Sequence, residues 1–109
     1  MEFNKRNARF LSMLGHRGVF TKTLIEMAED KDFVVLVADL EELTGLSRFR
    51  KTYPDRIFNV GIAEQNMIGI ASGMTKLYHT AFVTTYANFL TMRAFEQIRM
   101  NLGYMQRLW

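Results

Sequence analysis

Residues 57–67 read Ile-Phe-Asn-Val-Gly-Ile-Ala-Glu-Gln-Asn-Met, and the hydrophobic pattern changes midway through this stretch. Its first four residues form a short, largely apolar run that suits a buried strand. After the glycine, the apolar side chains of Met67, Ile70 and Met74 follow at spacings of three and four, which is typical of one helix face. The pattern predicts a strand, a turn and a helix, with Glu64 where the two elements meet.

Glu64 falls in the first turn of this predicted helix. Unpaired backbone N–H groups and the positive end of the helix dipole favour a negative charge there. Judged on spacing alone, Glu64 is a first-turn acid that stabilises the helix by about 0.3–1 kcal/mol. A functional carboxylate at the same position is the alternative, and the spacing does not choose between the two.

The composition indicates one small globular domain. Of the 109 residues, 49% are apolar, which is enough for a packed core. The chain has no cysteine, and this excludes disulfides, zinc ligation by cysteine and a thiol nucleophile. The longest apolar run, residues 33–38, is too short to span a bilayer. We therefore expect a soluble, cytoplasmic protein without a membrane partner.

The net charge of +3 comes mostly from the first nine residues, which include Lys5, Arg6 and Arg9. No aromatic or helical pattern accompanies these charges, so they favour a solvated N-terminal tail over a nucleic-acid-binding arm. The two histidines, His16 and His79, have no second ligand at metal-binding spacing. We predict neither a nucleic-acid partner nor a metal site on this chain.

The order of the predicted elements indicates an α/β fold. Residues 1–14 are a polar lead-in, and residues 15–18, Gly-His-Arg-Gly, mark a loop. The elements that follow are a helix to residue 30, strands at 33–38, 57–60 and 80–85, a short helical segment near 48–51, and helices at 63–77 and 90–102. The continuous apolar run at 33–38 is typical of a parallel strand buried on both faces.

Ligands bind such a sheet at the carboxyl ends of its strands. Asp39, Glu64 and the Thr-Thr-Tyr stretch at 84–86 all follow predicted strands, and we expect them to converge there. On the helix between them, Gly69 and Gly73 each cost about 1 kcal/mol relative to alanine. We expect another part of the structure to pack closely against the backbone at these two glycines.

Residues 59–67 resemble the pyrimidine-binding domain of thiamine diphosphate enzymes of the transketolase type, most of all the separate C-terminal subunit of split transketolases. Four further segments resemble the same family in the same order: Val37-Ala38-Asp39-Leu40, Tyr53-Pro54-Asp55-Arg56, Thr84-Thr85-Tyr86-Ala87-Asn88-Phe89 and Arg93-Ala94-Phe95-Glu96-Gln97-Ile98-Arg99. The resemblance covers residues 15–105. It implies a three-layer, parallel-sheet fold of the pyrimidine-binding type, with a partial domain at 15–109 that is incomplete at its C-terminus.

The resemblance also implies roles for four side chains. Glu64 matches the catalytic glutamate that shares a proton with N1′ of the cofactor's aminopyrimidine, which helps the thiazolium carbon to lose its proton. Tyr86 and Phe89 match aromatic positions that pack on the pyrimidine ring; the alternative is that both are core aromatics. Asp39 matches a cofactor-binding acid near the thiazole and the substrate, and a helix N-cap or a loop role fits it equally well.

The activity that the resemblance implies is transfer of a two-carbon ketol unit between sugar phosphates. The chain lacks the Gly-Asp-Gly stretch with which the family holds the diphosphate through Mg²⁺. We therefore expect an N-terminal partner subunit to hold both, and the isolated chain to be inactive. The alternatives are a catalytically silent fragment that only associates with transketolase subunits, or a fragment of deoxyxylulose phosphate synthase. An open sheet edge predicts self-association.

Two features depart from the family pattern. Residues 41–43, Glu-Glu-Leu, add charge and bulk beside the expected cofactor edge, where relatives have small polar residues. Met92 stands where some relatives have a further aromatic residue.

Overall fold

The structure is a computed structural model that describes residues 4–78 and 80–104. Its helices and strands are α1 (Lys5–Met27), β1 (Phe33–Val37), α2 (Ser47–Thr52), β2 (Ile57–Asn59), α3 (Glu64–Met74), β3 (Thr80–Thr84) and α4 (Phe95–Ile98). A 3₁₀ turn at Pro54–Arg56 leads into β2, and wide π-type turns at Phe89–Arg93 and Arg99–Tyr104 flank α4.

The three strands form one parallel sheet in the order β2-β1-β3. The strand β1 is central, and its last residue, Val37, pairs with Asn59 of β2 and Thr84 of β3. The carboxyl ends of all three strands therefore lie at one edge of the sheet. The predicted α/β fold with a parallel sheet is confirmed.

Helices cover both faces of β1, which explains why the strand is buried throughout. Phe33, Val35 and Val37 contribute to a cluster with side chains of α1, α2 and β2, and Val34 and Leu36 contribute to a second cluster with α3. Because successive side chains of a strand point to opposite faces, a strand covered on both sides must be apolar at every position. The three layers are therefore α1 and α2, the sheet, and α3 with the segment after β3.

The first helix begins earlier than the sequence pattern indicates. The lead-in is helical from Lys5, and the side-chain oxygen of Asn4 accepts a hydrogen bond from the backbone N–H of Asn7 at 2.9 Å. This is an ordinary N-cap, and an asparagine at this position is the sequence signal for the helix start. At Gly15 the backbone leaves the helical region, with φ 67° and ψ 170°, which places a kink at the predicted loop.

Arg56 lies in the predicted turn before β2 and hydrogen-bonds to the backbone at the C-terminal end of the first helix. Its Nη1 donates hydrogen bonds of 3.0 Å to the backbone oxygens of Ala28 and Lys31, and its guanidinium lies 5.5 Å from the ring centre of Tyr53. The carbonyls at a helix C-terminus lack partners within the helix. Arg56 supplies such a partner and so joins α1 to the start of β2.

The last predicted helix, at 90–102, is only partly regular. The backbone N–H of Ala94 donates to the oxygen of Phe89 at 3.0 Å, five residues back, which is the wide π-type pattern. Regular α-helical structure is confined to α4. A π-type turn fits one more residue than an α-helical turn does, and such turns are frequent at functional sites.

The expectation of close packing at Gly69 and Gly73 is wrong within the described part of the chain. A Cβ atom placed on either residue would meet no heavy atom within 4 Å. Both glycines lie on the exposed face of α3. Among residues 4–78 and 80–104, no packing contact therefore compensates for their cost in helix propensity.

Gly61 is required by backbone geometry, and we expect Gly61→Ala to lower the free energy of unfolding by about 1–2 kcal/mol. Its φ is +75° and a Cβ would meet nothing within 4 Å, so the penalty comes from the backbone conformation alone. Gly69→Ala is the matched control, also without a steric clash, and should raise stability by up to about 1 kcal/mol. Urea unfolding followed by circular dichroism measures both. A Gly61→Ala variant as stable as the wild type would contradict the left-handed turn.

Candidate functional site

A hydrogen-bonded loop lies where β1 and β2 end. Asp39 adopts a left-handed conformation, with φ 57°. The side-chain oxygen of Asn59 accepts from the backbone N–H groups of Asp39 at 3.1 Å and of Gly61 at 2.9 Å, and its Nδ2 donates to Asp39 Oδ1 at 3.4 Å. Asp39 is not a helix N-cap, since the next helix begins at Ser47 and is preceded by Leu46. The N-cap alternative is therefore wrong, and Asp39 lies in the loop after β1.

We expect Asn59→Ala to lower the free energy of unfolding by about 1–2 kcal/mol, because it leaves the N–H groups of Asp39 and Gly61 without their acceptor. Asn66→Ala is the control, since Asn66 is exposed on α3 and the described residues give its side chain no hydrogen bond. Thermal unfolding compares the two variants. Equal stability would show that the Asn59 side chain does not tie the two strand ends together.

Glu64 lies in the first turn of α3, as predicted, but it is not an exposed first-turn acid. Its side chain is only 3% exposed, and its Oε2 accepts a hydrogen bond from Arg93 Nη1 at 3.1 Å. Burying a carboxylate is costly unless a cation or hydrogen bonds compensate for the lost water. Within residues 4–78 and 80–104, the other oxygen, Oε1, accepts no hydrogen bond.

Arg93 connects Glu64 to the aromatic segment after β3. Its guanidinium carbon lies 4.3 Å from the ring centre of Phe89, within cation–π distance. The backbone oxygen of Arg93 accepts a hydrogen bond from Gln65 Nε2 at 3.0 Å. Two hydrogen bonds in opposite directions thus join the start of α3 to the turn at Phe89–Arg93. We call Glu64, Phe89 and Arg93 the carboxylate cluster.

Tyr86 extends this arrangement towards the end of β3. The rings of Tyr86 and Phe89 are 6.0 Å apart between centroids and tilted by 44°. Neither residue belongs to the two buried clusters that cover β1, and Tyr86 is exposed. Tyr86 is therefore not a core aromatic, and Phe89 is half-buried outside both clusters.

The structure brings together most of the predicted site residues. Glu64, Phe89 and Tyr86 form a continuous series of contacts, and Arg93, which sequence reasoning missed, is the connecting residue. Asp39 has no hydrogen bond to this series among the described residues, and its bonds to Asn59 link it to Gly61 in the turn before α3. The signal for Arg93 was its spacing of four from Phe89 on a helical segment, which is a common pattern.

Of the two acidic residues at 41 and 42, Glu41 is paired with an arginine, whereas Glu42 is exposed and has no ion pair among the described residues. Both carboxylate oxygens of Glu41 accept from Arg50 Nε, at 2.7 and 2.8 Å, and Arg50 Nη1 also donates to the backbone oxygen of Ile57 at 3.2 Å. In the segment at residues 41–43 that departs from the family pattern, Arg50 of α2 therefore neutralises the charge of Glu41.

A cavity of about 250 Å³ lies at the end of β3, on the side of α1. It is lined by His16, Arg17, Phe20, Leu43, Thr44 and residues 84–87. The hydroxyl oxygen of Thr85 is buried and has no hydrogen-bond partner among the described residues. A buried polar atom without a partner is rare in native proteins, and a ligand is one way to satisfy it.

Across residues 4–78 and 80–104, no three His, Asp or Glu side chains lie close enough together to hold a metal ion. In the same residues, no helix combines the length and the apolar character needed to cross a bilayer. His16 is exposed on α1, and His79 lies outside the described residues.

Comparison with known proteins agrees with the resemblance noted in the sequence. A family model described as transketolase, pyrimidine binding domain, matches residues 13–108. The chain is 41% identical over 91 residues to the "Putative transketolase C-terminal section" of Methanocaldococcus jannaschii, covering 83% of this chain and 29% of that protein. It is 38% identical over 96 residues to the 1-deoxy-D-xylulose-5-phosphate synthase of Halothermothrix orenii, covering 87% of this chain and 15% of that protein.

A solved structure is similar as well. The chain superposes on a split gene transketolase, described as an inactive beta4 tetramer, with a TM-score of 0.71 and 43% sequence identity. The match covers 82% of this chain and 30% of the other. The chain therefore spans less than a third of the length of these relatives.

Proposed function

This chain belongs to the family of transketolase pyrimidine-binding domains, and we propose that it supplies the pyrimidine half of a thiamine diphosphate site. Together with a diphosphate-binding partner subunit, it would transfer a two-carbon ketol unit between sugar phosphates. One observation carries the proposal. A nearly fully buried carboxylate, Glu64, stands at the start of α3 and is linked through Arg93 to a pair of aromatic rings.

The residues present fit an aminopyrimidine ring. Glu64 has one oxygen that is bonded to Arg93 and a second without a hydrogen bond among the described residues. Phe89 and Tyr86 offer a pair of tilted aromatic rings, and Arg93 joins Phe89 to Glu64. A flat heteroaromatic ring with N–H donors needs both kinds of group, a hydrogen-bond acceptor at its edge and apolar contact on its face.

Each of these side chains would have a separate task. When bound, thiamine diphosphate supplies the acidic thiazolium carbon and the electron sink that ketol transfer needs. Glu64 would hold and move the proton at N1′ of the pyrimidine, a role that typically contributes a factor of about 10² to 10⁴ to the rate. Tyr86 and Phe89 would fix the plane of the ring and exclude water from it. Asp39, on the loop after β1, would face the thiazole and substrate side.

The surface around the carboxylate cluster supports a shared site. Ile62, Met92 and Phe95 are large apolar side chains that lie within a few residues of the cluster and are mostly exposed. Large apolar side chains exposed next to a candidate site are typical of a surface that another protein covers. We propose that the diphosphate-binding subunit covers them and holds Mg²⁺, for which this chain has no family motif. Within the described residues β3 has a strand neighbour on one side only, which favours self-association at the other.

A second candidate is the reaction of 1-deoxy-D-xylulose-5-phosphate synthase. The identity of 38% to the enzyme of Halothermothrix orenii favours it, because that value is close to the 41% found for the transketolase section. The carboxylate cluster serves both reactions, since both begin with ionisation of the same cofactor. The partner subunit and its substrate contacts would decide between them.

Reconstitution tests the proposal. The full chain is mixed with a diphosphate-binding N-terminal transketolase subunit, thiamine diphosphate and Mg²⁺, and ketol transfer between sugar phosphates is measured beside formation of 1-deoxy-D-xylulose 5-phosphate. We expect ketol transfer only when both chains are present. Formation of the deoxy sugar alone would favour the second candidate. Neither product, together with no calorimetric signal for cofactor, would show a silent fragment that at most associates with transketolase subunits.

A further inference from the structure

The Arg93 guanidinium contacts the same two groups that the proposed function assigns to the pyrimidine ring. Its Nη1 donates to Glu64 Oε2 at 3.1 Å, and its carbon lies 4.3 Å from the ring centre of Phe89. A guanidinium is planar, delocalised and rich in N–H donors. An aminopyrimidine that carries a proton at N1′ shares these properties, so one group can replace the other at the same pair of contacts.

The two partners of this ion pair differ in their exposure. The Glu64 side chain is 3% exposed and the Arg93 side chain is 50% exposed. The carboxylate has little access to water, so loss of its hydrogen bond from Arg93 without a replacement donor is costly. The guanidinium can exchange its contact for water at little cost, as exposed charges in ion pairs generally do. Arg93 is therefore the partner that leaves when another donor arrives.

The backbone at Arg93 is held independently of its side chain. Gln65 Nε2 donates to the Arg93 backbone oxygen at 3.0 Å, and the buried Ala94 follows it in the chain. Release of the guanidinium therefore needs rotation only about side-chain bonds. The turn at Phe89–Arg93 and the start of α3 stay joined while the exchange takes place.

We propose that Arg93 is a built-in placeholder, which pairs with Glu64 and stacks on Phe89 until a pyrimidine ring displaces it from both. This inference rests on the proposed function. It adds that the Arg93 guanidinium and the pyrimidine ring compete for Glu64 and Phe89. The apparent affinity of a site that is open for only a fraction of the time falls by that fraction. If the placeholder occupies the site about nine-tenths of the time, its removal strengthens pyrimidine binding about tenfold.

The test is an NMR titration of the full chain with 4-amino-5-hydroxymethyl-2-methylpyrimidine, a probe without the diphosphate. We expect Arg93→Met to bind the probe about tenfold more tightly than the wild type, since methionine keeps the apolar stem and removes the guanidinium. Arg48→Met, at an exposed arginine on the opposite side of the sheet, should bind like the wild type. A merely structural role for Arg93 predicts the opposite sign, weaker binding in Arg93→Met.

A second measurement on the wild type keeps the inference testable if Arg93→Met does not fold. The guanidinium N–H signals of Arg93 should be shifted by the Phe89 ring in the free protein and should move to solvent-exposed positions when the probe saturates. Two outcomes would overturn the placeholder and leave the proposed function standing. One is that the wild type binds the probe while these signals do not move. The other is that Arg93→Met binds the probe no more tightly than the wild type. Absence of probe binding in both wild type and Arg93→Met would overturn the placeholder, and the reconstitution with the partner subunit tests the proposed function separately.

Discussion

Glu64→Gln should reduce the ketol-transfer rate of the reconstituted enzyme by a factor of about 10² to 10⁴ at saturating cofactor. Glutamine keeps the size of the side chain and an oxygen that accepts the bond from Arg93 Nη1, so the local fold is maintained. It cannot take up or release a proton at the pyrimidine edge. The loss should therefore appear in kcat, measured at cofactor concentrations that saturate each variant.

Glu26→Gln is the matched control for this prediction. Glu26 is an exposed glutamate on α1 that pairs with Lys22, four residues earlier, and it lies on the other side of the sheet from α3. It should retain wild-type activity and cofactor binding. Equal activity in Glu64→Gln and the wild type would remove Glu64 from the mechanism. Loss of cofactor binding without a change in kcat would assign it to binding alone.

The sequence was most informative where a local pattern has one structural solution. The apolar run at Phe33–Val37 has no polar face, which is typical of a strand covered on both sides. The position of Glu64 followed from the turn at Gly61 and the helical spacing after it. These features need no knowledge of distant residues. The Asn4 cap of α1 is an equally local signal, and it marks the start of that helix.

Sequence reasoning failed where the outcome depends on tertiary contacts. Arg93 is 29 residues from Glu64 in the chain, and their pairing exists only because α3 packs beside the turn at Phe89–Arg93. Periodicity could not show that this turn is π-type, since the apolar spacing suits an α-helix equally well. The glycines of α3 led to a wrong prediction of close packing. Their cost in helix propensity does not reveal whether any contact compensates for it.

Placement of the site depends on how firmly the central strand is packed. The clusters on the two faces of β1 hold α1 and α2 on one side and α3 on the other. Asp39 follows β1 within two residues, and Glu64 begins a helix that packs on its second face. A change that loosens β1 should therefore affect both halves of the candidate site at once.

Phe33→Ala tests this dependence, and we expect it to lower the free energy of unfolding by about 3–5 kcal/mol. Phe33 is 1% exposed, and its ring lies 6.0 Å from that of Phe49 and 5.1 Å from that of Phe82, so its removal leaves a cavity between α2 and β3. The free energy of unfolding of a small domain is only about 5–15 kcal/mol in total. Phe58→Ala, at a residue that is 36% exposed on the outer strand β2, should cost about 1 kcal/mol or less. Urea unfolding compares the two, and similar losses would mean that Phe33 does not carry the packing of the central strand.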